Sequence, residues 1–257
     1  MYRLVRTDGF YSLILSDGES VQTRVVVIAT GARYQRLSIP NYDRFEYQGI
    51  HYAATAMEAD LCQGEEVAVV GAGNSAGQAA LFLSHTASHV HLLVRGNGLQ
   101  RTMSDYLIQR ILASQTITVH LSTEIIAIEG EERLREVSWL QKGSLATESR
   151  RIGNVFVMIG ALPRTEWLRD RSLTDSKGFI VTGAAAGSDA SFGTRLDGIF
   201  AVGDVRSGSV KRVASAVGEG SVVISEVHRY LAKAAELLMP EHAESSLGPS
   251  PQSVGVR

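Results

Sequence analysis

The chain has 257 residues, with 25 Lys+Arg against 27 Asp+Glu, so its formal charge is −2. Apolar residues make up 44% and charged residues 20%, which excludes a disordered or fibrous chain and allows one large domain or two moderate ones. No apolar run reaches the roughly eighteen residues of a membrane span, and the near-zero charge gives no long-range attraction to nucleic acid. The opening MYRLVRTDGF lacks the apolar core of a leader peptide. The single cysteine, Cys62, leaves no intrachain disulfide, CxxC pair or cysteine-rich zinc site, and predicts a free thiol in a cytoplasmic protein.

In chain order, Phe10–Leu15 alternates as a strand. Ser16-Asp17-Gly18 predicts a turn, and the returning run ends in Arg24–Ala29. The VVVIA part of that run has no polar alternation, as in strands buried on both faces, and stops at Thr30-Gly31-Ala32. An aromatic loop follows. Glu66–Val70 predicts a strand, Ser75–His85 a helix with Ala76, Ala79, Ala80 and Leu83 on one face, and Val90–Val94 a second strand. This is a βαβ unit. Ser104 is placed to cap a helix bearing Leu107, Ile108, Ile111 and Leu112. Short strands are expected at Ile117–Leu121, Thr123–Ile128, Glu136–Leu140, Asn154–Ile159, Phe179–Thr182 and Ile199–Val202, with a loop over 183–195. Val213–Ala235 reads as a helix carrying Val217, Val222, Ile224, Val227 and Leu231, and the polar tail beyond Pro240 reads as disordered.

The strongest motif is VAVVGAGNSA, residues 67–76, a GxGxxA between a strand and a helix. Gly71 permits the tight turn. Gly73 lets a pyrophosphate approach the backbone, and Ala76 lets helix pack on strand. Asn74 and Ser75 open the helix, where unpaired N–H groups and the dipole favour an anion. The structural alternative is an ordinary glycine turn. At the end of the next strand stands Arg95, with Arg101 nearby, where NAD sites place a carboxylate. An arginine pairs with a 2′-phosphate, which favours NADP over NAD; the alternative is a solvated strand end. A second signal, GIFAVGDV, delivers Gly203 and Asp204 to the end of a buried strand, where the carboxylate either accepts sugar or ribityl hydroxyls or closes a turn. Lys211, Arg212 and Val213 lie at the following helix start. His85, His89 and His91 are expected to diverge at a helix–strand junction, so no metal centre is predicted. A short-chain dehydrogenase is excluded because no Tyr has a Lys four residues later.

In their order, VVVIATGARYQRLSIP, VAVVGAGNSAGQAALFLS, VFVMIGALPRT and GIFAVGDV resemble the thioredoxin reductase-like flavoproteins over residues 10–232. The resemblance implies an α/β fold in which a Rossmann-like NAD(P) domain (48–162) is inserted in a partial FAD domain (1–47 and 163–240) of three-layer ββα sandwich type, with 241–257 as the tail. It places Thr30 and Gly31 near FAD, Gly203 and Asp204 at its ribityl and pyrophosphate region, and Lys211, Arg212 and Val213 near the flavin ring. NADP falls to Gly71–Ala76 and Arg95, with Gly160 beside the nicotinamide. The second arginine usual after Arg95 is Gly96 here.

Two departures qualify the resemblance. The first FAD-binding GxGxxG unit is absent, so on the order of a hundred residues are expected to be missing. The position of the redox CxxC reads His51–Ala59 without cysteine, so dithiol exchange is not expected. The implied activity is an NADPH-dependent FAD oxidoreductase passing hydride from nicotinamide to flavin, with no side-chain acid or base required and the electron acceptor open. The rival is a non-catalytic NADP-binding module without FAD, whose uncovered surface leaves a homodimer open.

Overall fold

The computed structural model describes residues 3–7 and 10–236. The expected tail lies outside them. The chain divides into two compact units, Met1–Ala32 with Pro163–Arg257 and Arg33–Leu162. The expected boundary at 47/48 therefore falls inside the second unit.

The first unit opens with β1 (Arg3–Thr7), β2 (Phe10–Ile14) and β3 (Ser20–Thr23), an antiparallel meander. The run expected to return as one strand is two elements. The Thr23 hydroxyl donates to the Val25 carbonyl at 2.8 Å, a local turn that ends β3. The next strand, β4 (Val26–Ile28), then leaves that sheet.

The second unit contains β5 (Ala32–Tyr34), α1 (Tyr42–Phe45), β6 (Ile50–His51), α2 (Ala56–Leu61), β7 (Glu66–Val70), α3 (Asn74–Leu83) and β8 (His89–Val94). It continues with α4 (Asp105–Leu112), β9 (Ile117–Leu121), β10 (Thr123–Gly130), β11 (Leu134–Gln141), β12 (Ala146–Arg150) and β13 (Asn154–Val157). The chain leaves along β14 (Ala161–Pro163), which pairs with β5. A parallel sheet in the order β6-β13-β7-β8-β9 forms the middle layer. Its strands lack polar alternation because both faces are covered. Val67, Val69, Val90, Leu92 and Val94 face α3 and α4, where Ala76, Ala80, Leu83 and Ile111 meet them. Ala68, Val70 and Leu93 face the opposite way, onto Ile128, Leu134, Val137 and Trp139 of the antiparallel β10-β11-β12 layer. Three layers result, and the unit is Rossmann-like as expected.

After β14 the first unit resumes. β15 (Ile199–Ala201) pairs in parallel with β4, Ile199 opposite Val26 and Ala201 opposite Ile28. The core here is two small clusters: Tyr11, Val26, Ile28, Ile180, Ile199, Ala201 and Val205 in one, and Phe200, Val202 and Val223 of the final helix in the other. Phe179–Thr182 is not a strand. The Asp175 carboxylate accepts the N–H groups of Lys177 and Phe179, which bends the chain tightly, and Ile180 makes only isolated bridges to Thr174 and Arg206. The expected loop holds a 3₁₀ turn at Gly183–Ala186. The final helix, α5 (Val213–Glu236), buries only Val223 and Glu226. Glu226 faces inward because its carboxylate accepts the Ser191 and Phe192 N–H groups. Of the apolar residues the sequence places on this helix, Val217, Val222 and Ile224 are exposed, whereas Val227 packs beside Val223.

Candidate functional site

The two glycines of the 67–76 motif do different work. Gly71 ends β7 at φ +148°, and a Cβ there would sit 2.5 Å from the Met158 carbonyl oxygen and 3.0 Å from the Ala76 Cβ. Its need for glycine is met by the protein itself: the turn is pressed between β13 and α3. Gly73 is the opposite case. Its backbone is extended, and a Cβ would have nothing nearer than the Thr102 carbonyl oxygen at 3.8 Å. No protein atom requires glycine there, and the open space above it is a cradle that a ligand can enter. Gly73 caps α3, whose first intrahelical bond runs from the Gly77 N–H to the Gly73 carbonyl at 3.1 Å. The N–H groups of Asn74, Ser75 and Ala76 precede that bond and so stand at the anion-favouring end of the helix.

A loop missed in the sequence pins this turn. The Thr102 hydroxyl donates to the Ala72 carbonyl at 2.8 Å, and the Ser104 N–H donates to Asn74 Oδ1 at 2.8 Å. Asn74 thus holds the start of α4, while the Ser104 side chain makes no capping bond. No short motif announces these long-range bonds.

Arg95 follows β8, whose Leu93 pairs with Val70 of β7, so it shares the C-terminal edge of the sheet with Gly71. It is well exposed, and its Nε lies 4.0 Å from Glu124 Oε1. Gly160 lies beyond β13 on the same edge, at φ +97°. Gln35 holds it: the Gln35 N–H donates to the Gly160 carbonyl and its side-chain amide to the Ile159 carbonyl, both at 3.0 Å. Glycine turn, arginine and Gly160 therefore line one edge of one sheet, where ligands of such sheets bind.

In the first unit, Thr30 and Gly31 follow β4. The Thr30 hydroxyl donates to the Arg164 carbonyl at 2.8 Å, and the Arg164 N–H donates to the Gly31 carbonyl at 3.0 Å. Gly203 and Asp204 follow β15, the partner of β4, so all four residues gather at the C-terminal end of that pair. The Gly203 N–H donates to Glu219 Oε2 at 2.6 Å, and Arg206 pairs with the same carboxylate at 2.6 Å. These bonds hold Glu219 below the usual carboxylate range against its burial and fix the turn. The Asp204 carboxylate makes no hydrogen bond or salt bridge among the described residues, so it is free to accept one. Lys211 bonds the Asp204 carbonyl and Ser209 hydroxyl at 3.1 Å, with its pKa lowered by burial. Arg212 and Val213 are exposed at the start of α5. A cavity of about 430 Å³ in this unit, lined by Leu173, Val181 and Arg195 among others, includes none of these residues.

The His51–Ala59 segment is β6 followed by a capping box. The Glu58 carboxylate accepts the Thr55 N–H at 2.8 Å and also bonds the Thr55 hydroxyl, a T-x-x-E signal legible in the sequence. Cys62, next to it, is fully buried, with its thiol pushed up to about 11 by burial, so it is unreactive.

The histidines do not all diverge. His89 and His91 leave β8 with ring centroids 4.9 Å apart, and His91 also meets His120 of β9, Nδ1 to Nε2 at 3.0 Å, and Glu66 at 3.1 Å. Strand pairing brings His91 and His120 together, and no local spacing signals it. Among the described residues no group of three His, Cys, Asp or Glu is placed to hold a metal.

A family model described as pyridine nucleotide-disulphide oxidoreductase matches residues 4–220. An alkyl hydroperoxide reductase component of Pseudomonas putida is 32% identical over 221 residues, covering 83% of this chain and 39% of its own length. A thioredoxin reductase of Dictyostelium discoideum is 27% identical over 224 residues, covering 86% of this chain and 68% of its own. The crystal structure of thioredoxin reductase from Streptococcus pyogenes MGAS5005 superposes with TM-score 0.78 at 26% identity, over 91% of this chain and 74% of that one. The chain thus spans about two fifths of the length of the hydroperoxide reductase component it matches. These relatives are oxidoreductases, and enzymes of the family use FAD and NAD(P)H. No helix among the described residues is long and apolar enough to cross a membrane. A parallel sheet ending in a glycine turn, together with a family match over most of the chain, places this protein in the pyridine nucleotide-disulphide oxidoreductase family.

Proposed function

We propose that this chain binds NADPH on the 33–162 unit and FAD on the other, and serves an NAD(P)H-dependent flavin oxidoreductase. The observation that carries the reading is the contrast between Gly71 and Gly73: only the second is a glycine for which the protein has no internal use. Asn74, Ser75 and Ala76 would offer N–H groups to the diphosphate, Arg95 its guanidinium to the 2′-phosphate, and Gly160 its exposed backbone to the nicotinamide half. The Asp204 carboxylate would accept ribityl hydroxyls on a turn held still by Glu219. Thr30 and Gly31 would border the same flavin, and the Val213 N–H would face its ring carbonyl beside Lys211 and Arg212. Bound flavin supplies the hydride chemistry; the protein supplies position and electrostatics. The domain roles follow: 33–162 for the dinucleotide, the remainder for the flavin. With Cys62 buried and no second cysteine in the chain, no dithiol step runs within these residues.

The test is to purify the protein with added FAD, remove free flavin, and add NADPH without oxygen. Retained yellow colour that bleaches on NADPH addition supports the reading. Colourless protein that still binds NADPH supports a dinucleotide module alone.

A further inference from the structure

Glu124 is absorbed by none of the roles above, yet it stands beside the residue assigned to the 2′-phosphate. The turn before β10 is fastened to the end of β8: the Ser122 N–H donates to the Gly96 carbonyl at 2.8 Å, and the Lys142 N–H donates to the Ser122 carbonyl at 2.9 Å. This brings Glu124 of β10 and Lys142, just past β11, to the neighbourhood of Arg95. The Glu124 carboxylate makes a short ion pair with Lys142 Nζ at 2.8 Å and reaches Arg95 Nε at 4.0 Å with its other oxygen. One carboxylate therefore lies between two cations at the strand end where the adenosine ribose of a bound dinucleotide is expected.

We infer that Glu124 is a specificity-determining residue that competes with the 2′-phosphate of NADPH for Arg95, and that Lys142 restrains this competition by holding the carboxylate. The inference rests on the dinucleotide reading of this edge. A phosphate entering beside Arg95 meets the like charge of Glu124. NADH brings only a neutral 2′-hydroxyl there, which donates to a carboxylate, or to the amide oxygen of a glutamine in its place, without repulsion. Glu124 thus narrows the NADPH preference that Arg95 creates. The side chains are partly exposed, 84% for Arg95, 36% for Glu124 and 53% for Lys142, so the effect is moderate and screened by salt.

The test is calorimetric titration of NADPH and NADH into the wild-type chain, Glu124→Gln and Lys142→Met, at low salt, with circular dichroism to verify folding. Glu124→Gln is isosteric at a partly exposed position and keeps the fold. It is expected to tighten NADPH about threefold while moving NADH less than about twofold. Lys142→Met is expected to weaken NADPH by a similar factor and again spare NADH. Equal changes for both dinucleotides, or no change in the NADPH-to-NADH ratio of Glu124→Gln, overturn the inference and leave the dinucleotide reading intact. Failure of the wild-type chain to bind either dinucleotide overturns both.

Discussion

The two compact units solve the same burial problem unequally. In 33–162 the parallel sheet is covered on both faces, by α3 and α4 on one side and by β10-β11-β12 on the other. In the other unit the parallel element is a pair, β4 with β15, and α5 turns Val217, Val222 and Ile224 to the outside. Val213, at the start of that helix, is 82% exposed. Apolar burial scales with the number of covered faces, so the first arrangement buries more apolar side chains and the second has apolar surface to spare. Both place their candidate ligand residues at the C-terminal end of parallel strands. What differs is how firmly the packing holds that end.

A pair of substitutions, one in each unit, separates the two arrangements by the widest margin. Trp139 is 2% exposed, donates to Glu148 and packs on the His91 and His120 rings at 5.3 Å. Trp139→Ala is expected to cost about 3–5 kcal/mol, read as a large drop in the urea midpoint by circular dichroism. Its counterpart, Ile224→Ser on the open side of α5, is the smallest effect expected, within about 0.5 kcal/mol of wild type in the same melt. Equal losses at the two sites would erase the distinction between the units.

An intermediate effect comes from pH. Burial holds His91 and His120 below the ordinary histidine value, although Glu66 pulls His91 the other way and Glu148 pulls His120. His89 and Arg150 add like charge to both. The folded chain resists these protons and the unfolded chain takes them up near pH about 6.5. Stability is therefore complete above that pH and is lost as pH falls through it toward the lower folded values. The carboxylates held low, Glu219 and Asp175 among them, keep their contribution above the ordinary carboxylate range and lose it as pH falls through that range toward their lower folded values, below the window compared. The urea midpoint is expected to be lower at pH 5.5 than at pH 7.5, and an unchanged midpoint contradicts the buried pair.

Much of this was legible in the sequence because the relevant signals are local. Unalternating VAVV and HLLV announce strands covered on both sides, and GAGNSA between strand and helix announces the turn. The apolar spacing of α3 and α4 is local too. What was not legible depends on distant partners. Gly71 and Gly73 look alike as letters, and only the approach of Met158 separates a packing glycine from an open one. The His91–His120 contact and the Glu124–Lys142 pair are products of strand register. The length of α5 follows from its sequence. Its buried side does not, because Glu226 is drawn in beside Val223 by the waiting N–H groups of Ser191 and Phe192. Phe179–Thr182 has strand-forming residues, yet the Asp175 side chain captures its backbone first.

If the open backbone at Gly73 receives the diphosphate of a nicotinamide dinucleotide, calorimetry with NADPH registers it. Wild-type protein should bind with measurable heat, and Gly73→Asp, which sets a carboxylate in the cradle while leaving the fold intact by circular dichroism, should show none. Equal binding by both proteins, or none by a well-folded wild type, contradicts the account.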